Sequence, residues 1–218
     1  MQSGKIELDG VDINRVRLDL LRERCIITVS QDALLLSNEN LRFNLDPDAS
    51  LSDDILVDAL TRTGLWPHFF EGATDLSGSL GAEADSTINI SAFGEHPILD
   101  KNVSLFPELS VGQCQLFALC RAIIKVNEGR YAGVKPVVLL DEVTSSLDFA
   151  TESTIHLIID EDFTGQGHTV IIVAHRLGAL AEHTKSGRDA VALMRDGRLE
   201  EVITDIKPTT FKILREKR

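Results

Sequence analysis

The chain has 218 residues, a length suited to one domain, and 43% of them are hydrophobic, enough for a sizeable core. Its formal net charge of −12 argues against a non-specific nucleic-acid surface. It does not exclude a phosphate ligand, because such a site can be built from backbone N–H groups at a helix end.

The first elements are small. Residues 5–13, KIELDGVDI, predict two short strands around Asp9-Gly10, since an Asp-Gly step between alternating apolar residues favours a hairpin. RLDLLRER, 17–24, predicts a short helix, and CIITVSQ a buried strand ending near Gln31. NENLRFNL predicts a helical turn stopped by Asp46-Pro47. Ser52 is expected to cap a helix over DDILVDALTRTG, with Ile55, Leu56, Ala59 and Leu60 on its apolar face and Gly64 closing it.

Residues 71–108 are rich in Gly, Ser, Asp and Glu with weak periodicity, so a long surface excursion, partly disordered, is expected. The pattern then tightens. Residues 112–126 predict a helix with Leu116, Leu119, Ile123 and Val126 on one side. KPVVLLDE reads as a parallel strand buried on both faces, and TVIIVAH as a second buried strand. Helices are expected over 151–162 and Leu177–His183, and AVALMRDGRLEEVI predicts a hairpin around Asp196-Gly197. The charged KILREKR is expected as a solvated tail or last helical turn. Alternating strands and helices predict an α/β layer fold with a mostly parallel sheet and antiparallel hairpins at its ends.

Cys25, Cys114 and Cys120 form no C-x-x-C pair, which fits a reducing compartment and thiols used as filler. The N-terminal MQSGKIELDG has no apolar run of the signal-peptide kind, and no stretch reaches the ~18 apolar residues of a membrane span. The chain itself is therefore expected to be soluble, though able to dock on a membrane protein.

Asp141 and Glu142 stand where a core strand leaves the sheet, the edge at which open α/β sheets bind ligands. Adjacent strand residues point to opposite sides. Asp141 then suits Mg²⁺, through water, and Glu142 suits a general base on an attacking water. Charged residues that merely end a strand are the equal alternative. Asp148 is read as a helix cap or as part of a loop facing a partner. His175 ends the second strand, where an imidazole could hold a water or phosphate oxygen or simply sit at the rim. The other five histidines show no such placement and no zinc spacing. Gln31, at its strand end, has an amide that could meet a metal-bound water or contact a neighbour.

In order, LSVGQ at 109–113, VVLLDE at 137–142, SSLD at 145–148, His175 and Gln31 resemble the signature, Walker B strand, D-loop, switch histidine and Q-loop of ATP-binding-cassette (ABC) ATPases. LDGVDI, LRERCIITVSQDALLLS, LRFNLDP and DEVTSSLD are similar to the second nucleotide-binding domain of the multidrug-resistance-protein subfamily. The resemblance covers nearly the whole chain. It implies a P-loop NTPase-like fold and ATP hydrolysis coupled to transport across a membrane, at the cytoplasmic face. It implies ATP and Mg²⁺ as cofactors, transmembrane domains as partners, and a second nucleotide-binding domain docked head to tail. Ser110 and the Gly112 backbone would meet the γ-phosphate held by that second domain. Gln113 and Asp148 would lie in the same nucleotide-contacting set. Gln31 and Asp141 would serve the metal, and Glu142 and His175 the hydrolysis. Ser110 as a simple cap is the alternative from the residue alone.

The sequence departs from the pattern in one large respect. It contains no G-x-x-x-x-G-K-[ST], whose N–H groups and lysine hold the phosphates. The chain is thus expected to be a partial domain over 1–218, starting roughly 25 residues past that loop and lacking the first strand, with its own catalysis in doubt. A non-catalytic partner that lends its signature to another domain is the alternative. A soluble ABC ATPase of DNA repair or translation is disfavoured by the subfamily-like segments and the absence of a coiled-coil arm. Cys114 stands where the family usually has Arg, and FPE precedes the signature where a Gly-rich lead is common.

Overall fold

The computed structural model describes residues 4–30, 34–79, 96–131, 133, 135–144, 147–174, 178–207 and 209–212. β1 (Glu7–Leu8) and β2 (Val11–Asp12) form the expected hairpin. Asp9 and Gly10 both take positive φ, 48° and 79°, the conformation of a two-residue turn whose twist matches its strands. α1 (Leu18–Leu20) runs on as a π-turn through Cys25 and delivers β3 (Ile26–Val29).

α2 (Leu41–Leu45) is short, and its end groups are satisfied from three directions. Asn40 Oδ1 accepts from Phe43 N–H at 2.7 Å. The first-turn donors of Leu41 and Arg42 go to the carbonyls of Lys101 and Leu99, at 3.0 and 2.8 Å. α3 (Asp53–Arg62) ends in a Schellman arrangement, with Gly64 at φ 71°, Leu65 N–H on Leu60 O and Gly64 N–H on Thr61 O. Ser52 holds the cap position, but its hydroxyl makes no capping bond. Asp53 beside it is instead paired with Arg42 and accepts from His96 N–H at 2.6 Å.

The expected excursion over 71–108 differs at both of its described ends. α4 (Trp66–Ser79) is a helix that runs well into it. Residues 80–95 lie outside the described residues. The remainder packs inward, burying Ile98, Leu99, Val103 and Phe106. Gly and Ser lowered the helical periodicity of 71–79, yet Phe69 and Ala73 anchor that helix in the core. The inward return lies beside α2 through backbone bonds such as Val103 N–H to Glu39 O.

α5 (Val111–Tyr131) is the central helix. The expected face is there, with Leu119, Ile123 and Val126 buried and Leu116 packed against the core. Phe117, Cys120, Ala122 and Ile124 are buried too, so α5 is enclosed nearly all round, between β3 and α3. β4 (Val137–Asp141) lies between β3 and β5 (Val170–Val173), all parallel. α6 (Phe149–Ile158) starts two residues before the expected helix and ends in a π-turn, Ile159–Phe163. α7 (Gly178–His183) follows β5; Leu177, expected as its start, is outside the described residues. β6 (Val191–Arg195) and β7 (Arg198–Ile203) form the second hairpin, turning at Asp196 and Gly197, both at positive φ, with a register shift at Leu193/Met194. Most of KILREKR, from residue 213, also lies outside the described residues.

The α/β fold with a mostly parallel sheet, flanking helices and terminal hairpins is as expected. The burial of the strands is not. Ile27, Val29, Val138 and Leu140 are buried on one face, but Ile171 and Val173 are each about half exposed on the other. Residue types alone could not separate a strand covered twice from one covered once. No helix among the described residues is long and apolar enough to cross a membrane.

Candidate functional site

The three parallel strands end at one edge, at Val29, Asp141 and Val173. Asp141 is exposed there, opposite Val173 in register. Glu142 follows at φ 51° and donates its backbone N–H to Val173 O at 3.0 Å. That bond continues the β4–β5 ladder by one rung and holds Glu142 beside the end of β5. Gln31 and His175 each follow their strands by two residues in sequence and lie outside the described residues.

The second cluster is built on helix starts. Ser110 and Gln113 form a reciprocal capping box at the start of α5. Ser110 Oγ accepts from Gln113 N–H at 3.3 Å, and Gln113 Oε1 accepts from Ser110 N–H at 2.9 Å. The capping alternative is therefore realised, while Ser110 remains exposed and able to meet a ligand. Gly112 allows a close approach of α5 to α6. A Cβ there would stand 3.0 Å from Thr151 Cγ2 and 3.6 Å from Leu147 Cδ2. Asp148 caps α6, accepting from Thr151 N–H at 3.0 Å and from the Thr151 hydroxyl at 2.7 Å. Those two donors, the backbone one first, hold its carboxyl below the usual carboxylate range. The fold thus brings Ser110, Gly112, Gln113 and Asp148 into one region, and Asp141 and Glu142 to the sheet edge.

Two supporting groups were not legible in the sequence. His68, on α4, reaches the signature: its Nε2 is 3.0 Å from Pro107 O and its Nδ1 3.4 Å from Gln113 Nε2. It stands on a helix and not at a strand end, so the strand-end placement that marks His175 passes it by. Its signal was hidden because the approach to the signature looked like loop. Arg121, on α5, donates to Leu34 O and Asn44 O, and at 3.2 Å to Asn44 Oδ1, while lying 4.9 Å over the Phe117 ring. Asn44 in turn accepts from Leu36 N–H at 2.8 Å. This half-buried guanidinium ties the strand-to-α2 connection to the signature helix. All three cysteines are free; burial pushes the Cys114 thiol up, and that of Cys120 to about 12, away from the thiolate form.

The donor set can be weighed against Mg²⁺ and ATP. Exposed carboxylate oxygens at Asp141 suit a hard cation that keeps waters and phosphate oxygens as its other ligands. Among the described residues no three His, Cys, Asp or Glu side chains gather to hold a metal alone. The groups whose chemistry suits a phosphate are the Ser110 hydroxyl, the Gly112 backbone and the start of α5. A glycine loop with its lysine is not in the sequence. The residues thus fit one wall of a nucleotide site and not a self-contained triphosphate cradle, and no hydrolytic step follows from this chain alone.

A parallel sheet with carboxylates at its carboxyl edge, beside a Ser-Val-Gly-Gln helix start, is the arrangement of a nucleotide-binding-domain-like α/β protein. The chain resembles that domain of ABC transporters over most of its length. It is 36% identical over 201 residues to an ABC-type transporter of Gibberella zeae, matching 92% of this chain and 11% of that protein. It is 32% identical to ABC transporter C family member 2 of Dictyostelium discoideum over 201 residues, 92% of this chain and 12% of the relative. It is 30% identical to the ATP-dependent bile acid permease of Saccharomyces cerevisiae over 205 residues, 92% and 11% of the two chains. The chain thus spans only about a ninth to an eighth of the length of these curated relatives. No protein-family model matches it.

Proposed function

We propose that residues 1–218 are part of the nucleotide-binding domain of an ABC-type exporter, and that they supply the signature wall of a composite ATP site. The observation that carries this reading is the pairing of an exposed, pre-capped Ser110 with Gly112 and Asp148 in one region. In that role Ser110 and the Gly112 backbone meet the γ-phosphate of ATP held by a second, P-loop-bearing domain docked head to tail. Gln113 positions Ser110, and Asp148 lines the same interface. Asp141 and Gln31 serve Mg²⁺, and Glu142 and His175 the hydrolytic water, when a glycine loop completes the site in the whole transporter. Membrane segments carried by the longer protein would place the domain at the cytoplasmic face. The multidrug-resistance-protein subfamily is the group this reading favours, on the likeness of LDGVDI, LRFNLDP and DEVTSSLD to its second nucleotide-binding domain.

A second reading also has an observation behind it. The capped and exposed Ser110 beside Gly112 serves equally a non-catalytic partner that only lends its signature. One experiment addresses each. The purified chain is mixed with an ABC nucleotide-binding domain that has its own P-loop, and ATP affinity is measured with and without it. The expected result is tighter ATP binding by the mixture, lost in Ser110→Asp. That substitution keeps a capping side chain at the start of α5 but sets a negative charge against the phosphate. An unchanged affinity overturns the signature role in either reading. Micromolar ATP binding by the chain alone overturns the statement that it lacks a triphosphate cradle.

A further inference from the structure

His156 and His183 stack face to face, with ring centroids 4.7 Å apart and planes 11° from parallel. His156 belongs to α6 and is 3% exposed. His183 is the last residue of α7. Among the described residues, the His156 Nε2 is buried and has no hydrogen-bond partner. A neutral ring tolerates that position. A protonated ring would place a second N–H and a full charge where nothing accepts them.

The groups acting electrostatically on His156 are few. From α7 it faces His183, and from the π-turn after α6 it faces Asp160. Asp160 is already engaged, with Arg188 Nη1 at 3.0 Å and Lys185 Nζ at 3.4 Å. α5, which also packs on α6, meets it where Gly112 faces Thr151 and adds no charge to the pair. On its own helix, Glu152 stands one turn earlier and is buried. Asp160 thus anchors the chain after α7, while the stacked histidines hold α7 itself.

We propose that the His156–His183 stack is a proton-sensitive latch that docks α7 on α6 when neutral and releases α7 on acidification, with the Lys185–Arg188 segment staying anchored to Asp160. The proposal stands apart from the reading of the chain as an exporter domain and needs no nucleotide. Burial first, and then the neighbouring His183, lower the His156 pKa from its ordinary 6.5 to about 4. The sign follows from linkage. A base whose docked pKa is depressed takes up its proton more readily in the released state. Docking is therefore at full strength above pH 6.5 and weakens as pH falls from 6.5 toward 4.

The test is amide hydrogen exchange of the isolated chain at pH 7.5 and pH 5, corrected for intrinsic rates. The opening equilibrium of residues 180–184 is expected to rise about 30-fold at pH 5, while that of 185–189 holds. His156→Phe keeps an aromatic ring against His183 and removes the titrating group, so its α7 protection should not respond to pH. His183→Phe should keep a response, because burial of His156 remains. An α7 whose protection is the same at both pH values, or a response that survives His156→Phe, overturns the latch. Should His156→Phe fail to fold, the imidazole resonances of the unsubstituted chain decide. A His156 that stays neutral to pH 5 supports the latch, and one that titrates near 6.5 overturns it.

Discussion

The two faces of the parallel sheet are unequal. Toward α5, Ile27, Val29, Val138 and Leu140 are sealed against a helix that is itself enclosed, by α3 on its far side. On the opposite face Ile171 and Val173 stand half in solvent, and the β6–β7 hairpin forms a sheet of its own. The same Val and Ile residues are worth different amounts on the two sides, because burial and not residue type sets their contribution. The α5 side is where the described chain is held together; the other side adds shape with little stability.

Substitutions can break that contrast. The largest effect is expected at Phe117, fully buried on α5 against Phe69 and beneath Arg121. Phe117→Ala should cost about 3–5 kcal/mol in urea denaturation, enough to threaten folding. The next lies at the junction of α2 and α3. Arg42 grips the buried Asp53, which holds that carboxyl below its usual range despite the cost of burial. Asp53→Asn should cost about 2–3 kcal/mol at pH 7. Because the folded pKa is depressed, Asp53's contribution is present above 3.8 and lost as pH falls further. The stability difference between the two chains should thus shrink below that value in an acid titration. The smallest effect is expected on the open face, where Val173→Thr should stay within about 0.5 kcal/mol. A loss of several times that, measured in the same denaturation series, would mean that this face is covered in solution and the contrast is wrong.

The sequence announced what is periodic or punctuated. Asp9-Gly10, Asp196-Gly197 and Gly64 marked turns and a helix end because left-handed backbone selects such residues. The apolar spacing of α5 marked a buried helix. The run VVLLDE marked a strand with its carboxylates at the ligand-binding edge, and SVGQ marked a helix start whose capping box the structure contains. Contacts between segments distant in sequence escaped. Arg121 meets Leu34 and Asn44 across some eighty positions, and His68 meets Pro107 across nearly forty. The inward turn at Ile98–Phe106 escaped for a different reason: Leu99, Val103 and Phe106 keep a helical spacing, but on turns and a single short 3₁₀ helix, Val103–Leu105, rather than on a continuous element. Of the proposed site, the carboxylates and the signature could be read off directly, whereas the stack that joins α6 to α7 could not.

Glu142 is one of the non-glycine residues held at positive φ, where an L side chain crowds its own backbone at a cost of about 1–2 kcal/mol. Asp9 and Asp196 share that conformation but sit in hairpin turns, where short polar side chains accept it readily. Glutamate has no such excuse, and glycine would relax the turn. A stability-driven redesign of this chain would therefore change position 142, as it would Ala49 at φ 49°, and in doing so would delete the carboxylate at the sheet edge. Thermostability and the hydrolytic role proposed for Glu142 pull in opposite directions at that single residue.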